Sequence, residues 1–168
     1  MDKLYPVYRA IHEFYREMAI SELLAADIRV TVCGTGWHNF QTDHAKNLTV
    51  LDETGKNIEE VAALMGNAKI VLNICPVFRA GAHERIFTAM LAGAVCVTDE
   101  NPYLKEILPD EVVYYQVDQM ERLPDIVKQV LSNPEESLQR TEKAYRLADE
   151  KYRWENEADE VLEMLGLE

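Results

Sequence analysis

The sequence has 168 residues, with 17 Lys+Arg against 30 Asp+Glu and a formal net charge of −13. With 48% hydrophobic residues and only 7 Gly and 6 Pro, it is a globular chain rather than a disordered or fibrous one, sized for one domain or half of a two-domain protein. The acidic balance argues against a nucleic-acid or anionic-membrane partner, and no apolar run approaches the ~20 residues of a membrane span.

From Val7 to about Ala26, the apolar residues Ile11, Phe14, Met18 and Leu23 recur at helical spacing. The run Ile28 to Gly34, IRVTVCG, then switches to β-branched residues ending on glycine, which predicts a buried strand. A weaker strand covers Leu48 to Leu51. Asn57 suits the cap of a helix whose Ile58, Val61, Ala62 and Met65 form a stripe. Further strands are predicted at 69–74, 94–98 and 112–115, and helices at 83–92, 102–108, 123–131, 134–151 and 153–165. Pro102 stands at the first turn of its helix, where a missing N–H does no harm.

Short apolar strands alternating with helices predict a parallel sheet covered on both faces. The expected architecture is a Rossmann-like three-layer α/β/α sandwich, with a roughly five-stranded parallel sheet and extra C-terminal helices. The favoured order puts the first strand in the middle, with 48–51 on one side and 69–74, 94–98 and 112–115 on the other. Ligands of such sheets bind at the switch point, outside the carboxyl ends of the strands. The loops expected there are 34–38, GTGWH, and 75–83, CPVFRAGAH.

Gly34-Thr35-Gly36-Trp37 invites two readings. Glycines at a strand end let the backbone approach a phosphate or ribose, and Asp52, 18 residues after Gly34, fits the ribose-binding spacing of a dinucleotide site. Against that, Asn39 stands at the third glycine position, Trp37 is bulky, and 38–47 lacks a helical stripe. A plain turn without a ligand is the other reading. The second loop enters the helix that begins HERIFTAML, whose N-terminus is a natural anion site flanked by Arg79 and Arg85. Gly81 would let the chain approach the ligand closely, whereas Glu84 and Arg85 are also what a solvated helix start contains. Thr98 and Asp99 end a strand facing the crevice, and with Glu100 and Asn101 they equally suit the capping of the next helix.

The histidines His12, His38, His44 and His83 have no metal-ligand spacing, and no acidic D-x-D cluster is present. There is no G-x-S-x-G elbow, and the first strand ends in Cys33-Gly34 rather than in a phosphoacceptor's acidic pair. The cysteines Cys33, Cys75 and Cys96 form no C-x-x-C pair, which fits a reducing compartment, and each is expected in the core. The start, MDKLYP, has no signal-peptide apolar segment, so a cytoplasmic location is expected.

The run N-I-C-P-V-F-R-A-G-A-H-E-R-I-F-T-A-M-L-A-G-A-V-C-V-T-D, after a strand and a glycine turn with Trp, resembles the C-terminal, donor-binding domain of GT-B glycosyltransferases of the group 1 kind. It is most similar to the branch that includes the CgeB-type spore maturation proteins, through Gly81, His83, Glu84, Arg85, Ala89, Met90, Ala92 and Gly93. The likeness runs from about Leu23 to Leu108 and more loosely through Tyr152-Arg153-Trp154. It implies a single nucleotide-sugar-binding domain over 1–168, the C-terminal half of a two-domain enzyme whose N-terminal acceptor domain is absent. The resemblance places Gly34 and Gly36 beneath the donor, and His83, Glu84 and Arg85 at its diphosphate and sugar, with His83 and Glu84 the catalytic candidates. Thr35, Trp37, Arg79, Gly81, Thr98 and Asp99 complete the expected donor site, with no metal and no cofactor beyond the nucleoside diphosphate sugar itself. Thr88 stands where many relatives carry a ribose-holding glutamate. A non-catalytic nucleotide-sugar or protein-binding module is the alternative that this departure favours.

Overall fold

In the computed structural model, which describes residues 4–51 and 57–167, five short strands alternate with helices. The strands are β1 (Val30–Cys33), β2 (Leu48–Leu51), β3 (Ile70–Asn73), β4 (Val95–Asp99) and β5 (Val113–Tyr115). The helices are α1 (Tyr5–Ala25), α2 (Ile58–Gly66), α3 (Glu84–Leu91), α4 (Pro102–Ile107), α5 (Leu123–Ser132), α6 (Pro134–Lys151) and α7 (Trp154–Leu165). Asp52 lies outside the described residues.

All strand pairs are parallel, as the Rossmann-like reading requires. The ladder is interrupted, however: β1 pairs with β2, and β3–β4–β5 form a second sheet. Leu72 of β3 packs into the cluster of Ile20, Leu24, Val32 and Trp37, so side chains bridge the break. The division has a physical reason in β1, where Val32 is buried but Thr31 and Cys33 are exposed. A strand covered on one face lacks the two-sided burial that holds a central parallel strand. Cys33 is accordingly not the core residue that its apolar neighbours predict, whereas Cys75 and Cys96 are buried.

The centre of the fold is β4, buried at every position. Its side chains alternate between two layers. Val95 and Val97 pack with Ala19 and Leu23 of α1 and with Leu123 and Val127 of α5. Cys96 packs on the other face, with Ile86 and Met90 of α3 and Ala144 and Ala148 of α6. Asn57 caps α2 as expected, its Oδ1 accepting from the Glu60 N–H at 2.8 Å while the Glu60 carboxylate accepts from the Asn57 N–H at 3.0 Å.

The stripe expected on α1 is used only in its second half. Leu23 is buried, but Phe14 is 58% exposed. Geometry explains this: 21 helical residues extend about 31 Å, against about 13 Å for a four-residue strand. The N-terminal turns therefore run past the sheet. Helix α7 likewise buries no residue among those described, and Trp154 is 75% exposed. No helix among the described residues is long and apolar enough to cross a membrane.

Met90 is fully buried between α3 and the sheet. Its replacement by Ala is expected to lower stability by about 2–5 kcal/mol in urea titrations, the range for removing a large core side chain.

Candidate functional site

Two neighbouring strands end on polar side chains that are almost fully buried: Asn73 on β3, and Thr98 and Asp99 on β4. Burial of such groups is tolerated only when their hydrogen bonds are made. Asn73 donates from Nδ2 to Thr98 Oγ1 at 3.0 Å and accepts from Arg85 Nη1 at Oδ1, also at 3.0 Å. Its backbone carbonyl accepts from the Tyr115 hydroxyl at 3.3 Å. Asp99 accepts the Cys75 N–H at 2.7 Å, which pins the start of the following loop. Burial pushes the Asp99 carboxyl above the usual range, while the N–H donors of Cys75 and of Asp99 itself, and then His12 and Arg79, pull it back.

The loop from Cys75 to His83 is held from a second side by Asn101. This N-cap of α4 accepts from the Leu104 N–H and donates from Nδ2 to the carbonyls of Phe78 and Gly81, each at 3.3 Å. Gly81 is required here by a side chain, since a Cβ would meet the Phe78 ring at 2.6 Å. What the glycine admits is therefore Phe78, in place of the ligand expected from sequence. His83 caps α3, its Nδ1 accepting from the Arg85 N–H at 3.1 Å. One of the helix's free amides is thereby satisfied by the protein. Burial first, and the Arg85 charge next, lower the His83 imidazole pKa. Glu84 is exposed in the first turn, and Thr88 donates its hydroxyl to the Glu84 carbonyl at 3.1 Å.

Helix α1 contributes a second group of side chains. Its Arg16 guanidinium lies 5.4 Å from the centroid of the Trp37 ring, a cation–π contact. Trp37 is buried against Phe40 in an edge-on arrangement with centroids 5.6 Å apart. It thus serves as a core residue that carries an arginine. Gly34 and Gly36 have φ of +123° and +94°, a turn that few other residues would adopt. Thr35, between them, is exposed. His12 completes the group: burial, then Arg16, with Arg85 further down, lower its imidazole pKa, and Asp99 opposes them.

His83 and Arg85 meet at the start of α3, Arg85 reaches Asn73 beside Thr98, and Arg79 is close enough to act on Asp99. Thr98 and Asp99 bond within the protein and brace the site from behind. Asn73, His12 and Arg16 were missed by sequence reading. Asn73 could have been noticed as a polar residue closing an apolar strand, but His12 and Arg16 sit among ordinary helix charges. Arg16, Arg79 and Arg85 make no ion pair among the described residues. The buried thiols are poor nucleophiles, as burial pushes Cys96 up to about 12 and raises Cys75 as well. Among the described residues, no three His, Cys, Asp or Glu side chains are placed to hold a metal.

Asp99→Asn is expected to retain the bond to the Cys75 N–H and to fold. The folded-state pKa of Asp99 is raised, so its contribution is fully present below the unfolded value and lost as pH rises through the folded one. Urea titrations should therefore show Asp99→Asn gaining on the parent between pH 4 and pH 7. Asp99→Ala, which orphans the Cys75 N–H, should lose about 1–3 kcal/mol at both.

The fold is shared with two solved structures. HepE from Anabaena, in complex with UDP-glucose, superposes with a TM-score of 0.70 at 13% identity, over 88% of this chain and 44% of that one. AviGT4, a glycosyltransferase involved in avilamycin A biosynthesis, superposes with a TM-score of 0.52 at 19% identity, over 79% of this chain and 44% of that one. The chain thus spans less than half the length of either protein. No curated protein matches it. Its sequence fits the pattern described as glycosyl transferase-like over residues 11–163, from α1 through most of α7. The chain belongs to the glycosyl transferase-like family.

Proposed function

We propose that the chain is the nucleotide-sugar donor-binding half of a GT-B glycosyltransferase, which transfers a sugar from a nucleoside diphosphate sugar to an acceptor hydroxyl. The observation that carries this reading is the set of arginines and histidines at the crevice. His12 and Arg16 come from α1, Arg79 from the loop, and His83 and Arg85 from the start of α3. They interact with one another and with a single buried carboxylate, in a chain whose net charge is −13. Unpaired arginines gathered at strand ends suit a diphosphate, which they would meet with charge-assisted hydrogen bonds. The match to HepE, solved with UDP-glucose, supports the same ligand class.

In the transfer, the bond between the anomeric carbon and the β-phosphate oxygen breaks, and negative charge grows on the departing diphosphate. Arg85, bonded to Asn73, and Arg16, over the Trp37 ring, would stabilise that charge. Because His83 Nδ1 accepts the Arg85 N–H, the neutral ring carries its proton on Nε2. His83 is then a hydrogen-bond donor toward the sugar or phosphate rather than a base. Glu84, exposed beside it, is the group able to receive a proton. The acceptor would be bound by a second domain, in keeping with the length of the structural neighbours.

A second reading, a non-catalytic nucleotide-sugar-binding module, is favoured by Thr88. Its hydroxyl is tied to the Glu84 carbonyl, and no carboxylate stands there to hold a ribose. Both readings require the ligand, and sugar transfer by the longest natural chain that contains these residues separates them.

Calorimetric titration should show binding of a nucleoside diphosphate such as UDP. A hydrogen bond to a charged partner is worth about 1.5–3 kcal/mol, so Arg85→Ala should weaken binding about 10- to 150-fold. Arg79→Ala should act in the same direction, while the exposed Arg146→Ala should leave affinity unchanged. Residues 1–168 alone should transfer no sugar. Tight NAD binding, without response to any nucleoside diphosphate, would overturn the reading.

A further inference from the structure

We propose that His12 is a ligand-binding side chain of this crevice and that it holds the anion as an imidazolium, so that a nucleoside diphosphate sugar enters together with a proton. The inference rests on the donor-site reading above. Its starting point is an unmet hydrogen bond: His12 Nε2 is the one buried side-chain nitrogen or oxygen among the described residues without a partner. Such orphans are rare in native proteins because they are destabilising. The ring is flanked by Tyr8, one turn back on α1, with centroids 4.5 Å apart.

The charged groups that act on His12 come from three elements. Arg16 belongs to α1, Arg85 and the cap His83 to the start of α3, and Asp99 to the end of β4. Glu13, the adjacent carboxylate on α1, is engaged by Arg9 at 2.7 Å. Asp99 is committed to the Cys75 N–H. The surroundings are therefore net cationic, and they act with burial, the larger cause, to lower the His12 imidazole pKa. A diphosphate reverses the sign of that field. An imidazole between two arginines and an anion then favours its charged form, which supplies a second N–H donor.

The competing histidine is excluded by its own hydrogen bond. A second proton on His83 would have to sit on Nδ1, where it would displace the Arg85 N–H and break the α3 cap. No such bond is recorded at His12 Nε2. Uptake thus falls to His12, and affinity must rise as pH falls through the interval between its free and bound titration points.

The test uses UDP-glucose, whose esterified diphosphate does not itself titrate near neutrality. Calorimetry near pH 7 in two buffers of different ionisation heat should show net proton uptake on binding, approaching one per ligand. Affinity should fall as pH rises between the free and bound titration points of His12, by up to about tenfold per pH unit, the slope set by one linked proton. His12→Gln should abolish the uptake and flatten the profile, with His44→Gln retaining uptake. In the unmutated chain, NMR titration of the His12 ring should show its pKa rising on saturation, a readout that survives if the variant fails to fold. Proton uptake unchanged in His12→Gln, or a His12 titration unmoved by ligand, overturns the proposal. If UDP-glucose and the other common nucleoside diphosphate sugars all fail to bind the unmutated chain, the donor-site reading falls with it.

Discussion

The side chain of Asn73 joins four parts of the molecule within one buried amide and its backbone. Its Nδ2 reaches Thr98 on β4, its Oδ1 receives Arg85 from α3, and its carbonyl receives the Tyr115 hydroxyl from β5. A neutral amide is well suited to this place. It supplies a donor to a hydroxyl and an acceptor to a guanidinium at the same time, which a carboxylate or a hydrocarbon cannot do. An aspartate there would form an ion pair with Arg85 and neutralise the charge offered to a ligand. With asparagine, the arginine is aimed but keeps its full positive charge.

That choice recurs around the crevice. Trp37 orients Arg16 through its ring face, and His83 orients the first turn of α3 as a neutral acceptor. Asp99, the buried acid, is engaged by a backbone N–H rather than by a cation. Arg85 and Arg16 are thus positioned by uncharged partners, although the chain has 30 carboxylates to choose from. Elsewhere the ordinary solution appears: Lys143 contacts Glu111 at 2.8 Å and Asp110 at 3.2 Å, and Lys105 contacts Glu100 at 2.9 Å.

Local pattern made much of this fold legible. The β-branched runs ended where expected, Asn57 and Asn101 capped their helices, and the two loops at the strand ends flank the crevice. What stayed hidden depended on distance. Nothing in the run IRVTVCG says that one face of β1 lacks a covering helix, so neither the break in the ladder nor the exposure of Cys33 was readable. The role of Gly81 depends on Phe78 folding back over it, and that of Thr98 on an asparagine 25 residues earlier. His12 and Arg16 enter the site because α1 outruns the sheet, a consequence of its length against that of the strands.

On the proposed reading, a chain of net charge −13 would also have to bring an anionic ligand to the crevice against its own field. Beyond a Debye length, about 8 Å at physiological ionic strength, that repulsion is screened, whereas contacts within a partly dry crevice are not. The long-range and short-range terms therefore respond oppositely to their surroundings. Dissolved salt removes most of the repulsion and leaves most of the attraction. The acidic exterior consequently does little against a diphosphate at cellular salt, yet it disfavours extended polyanions, which must lie along the surface beyond the crevice. On that reading, selectivity for a small anion over a nucleic acid would follow from where the cations are, with no need for the molecule as a whole to be basic.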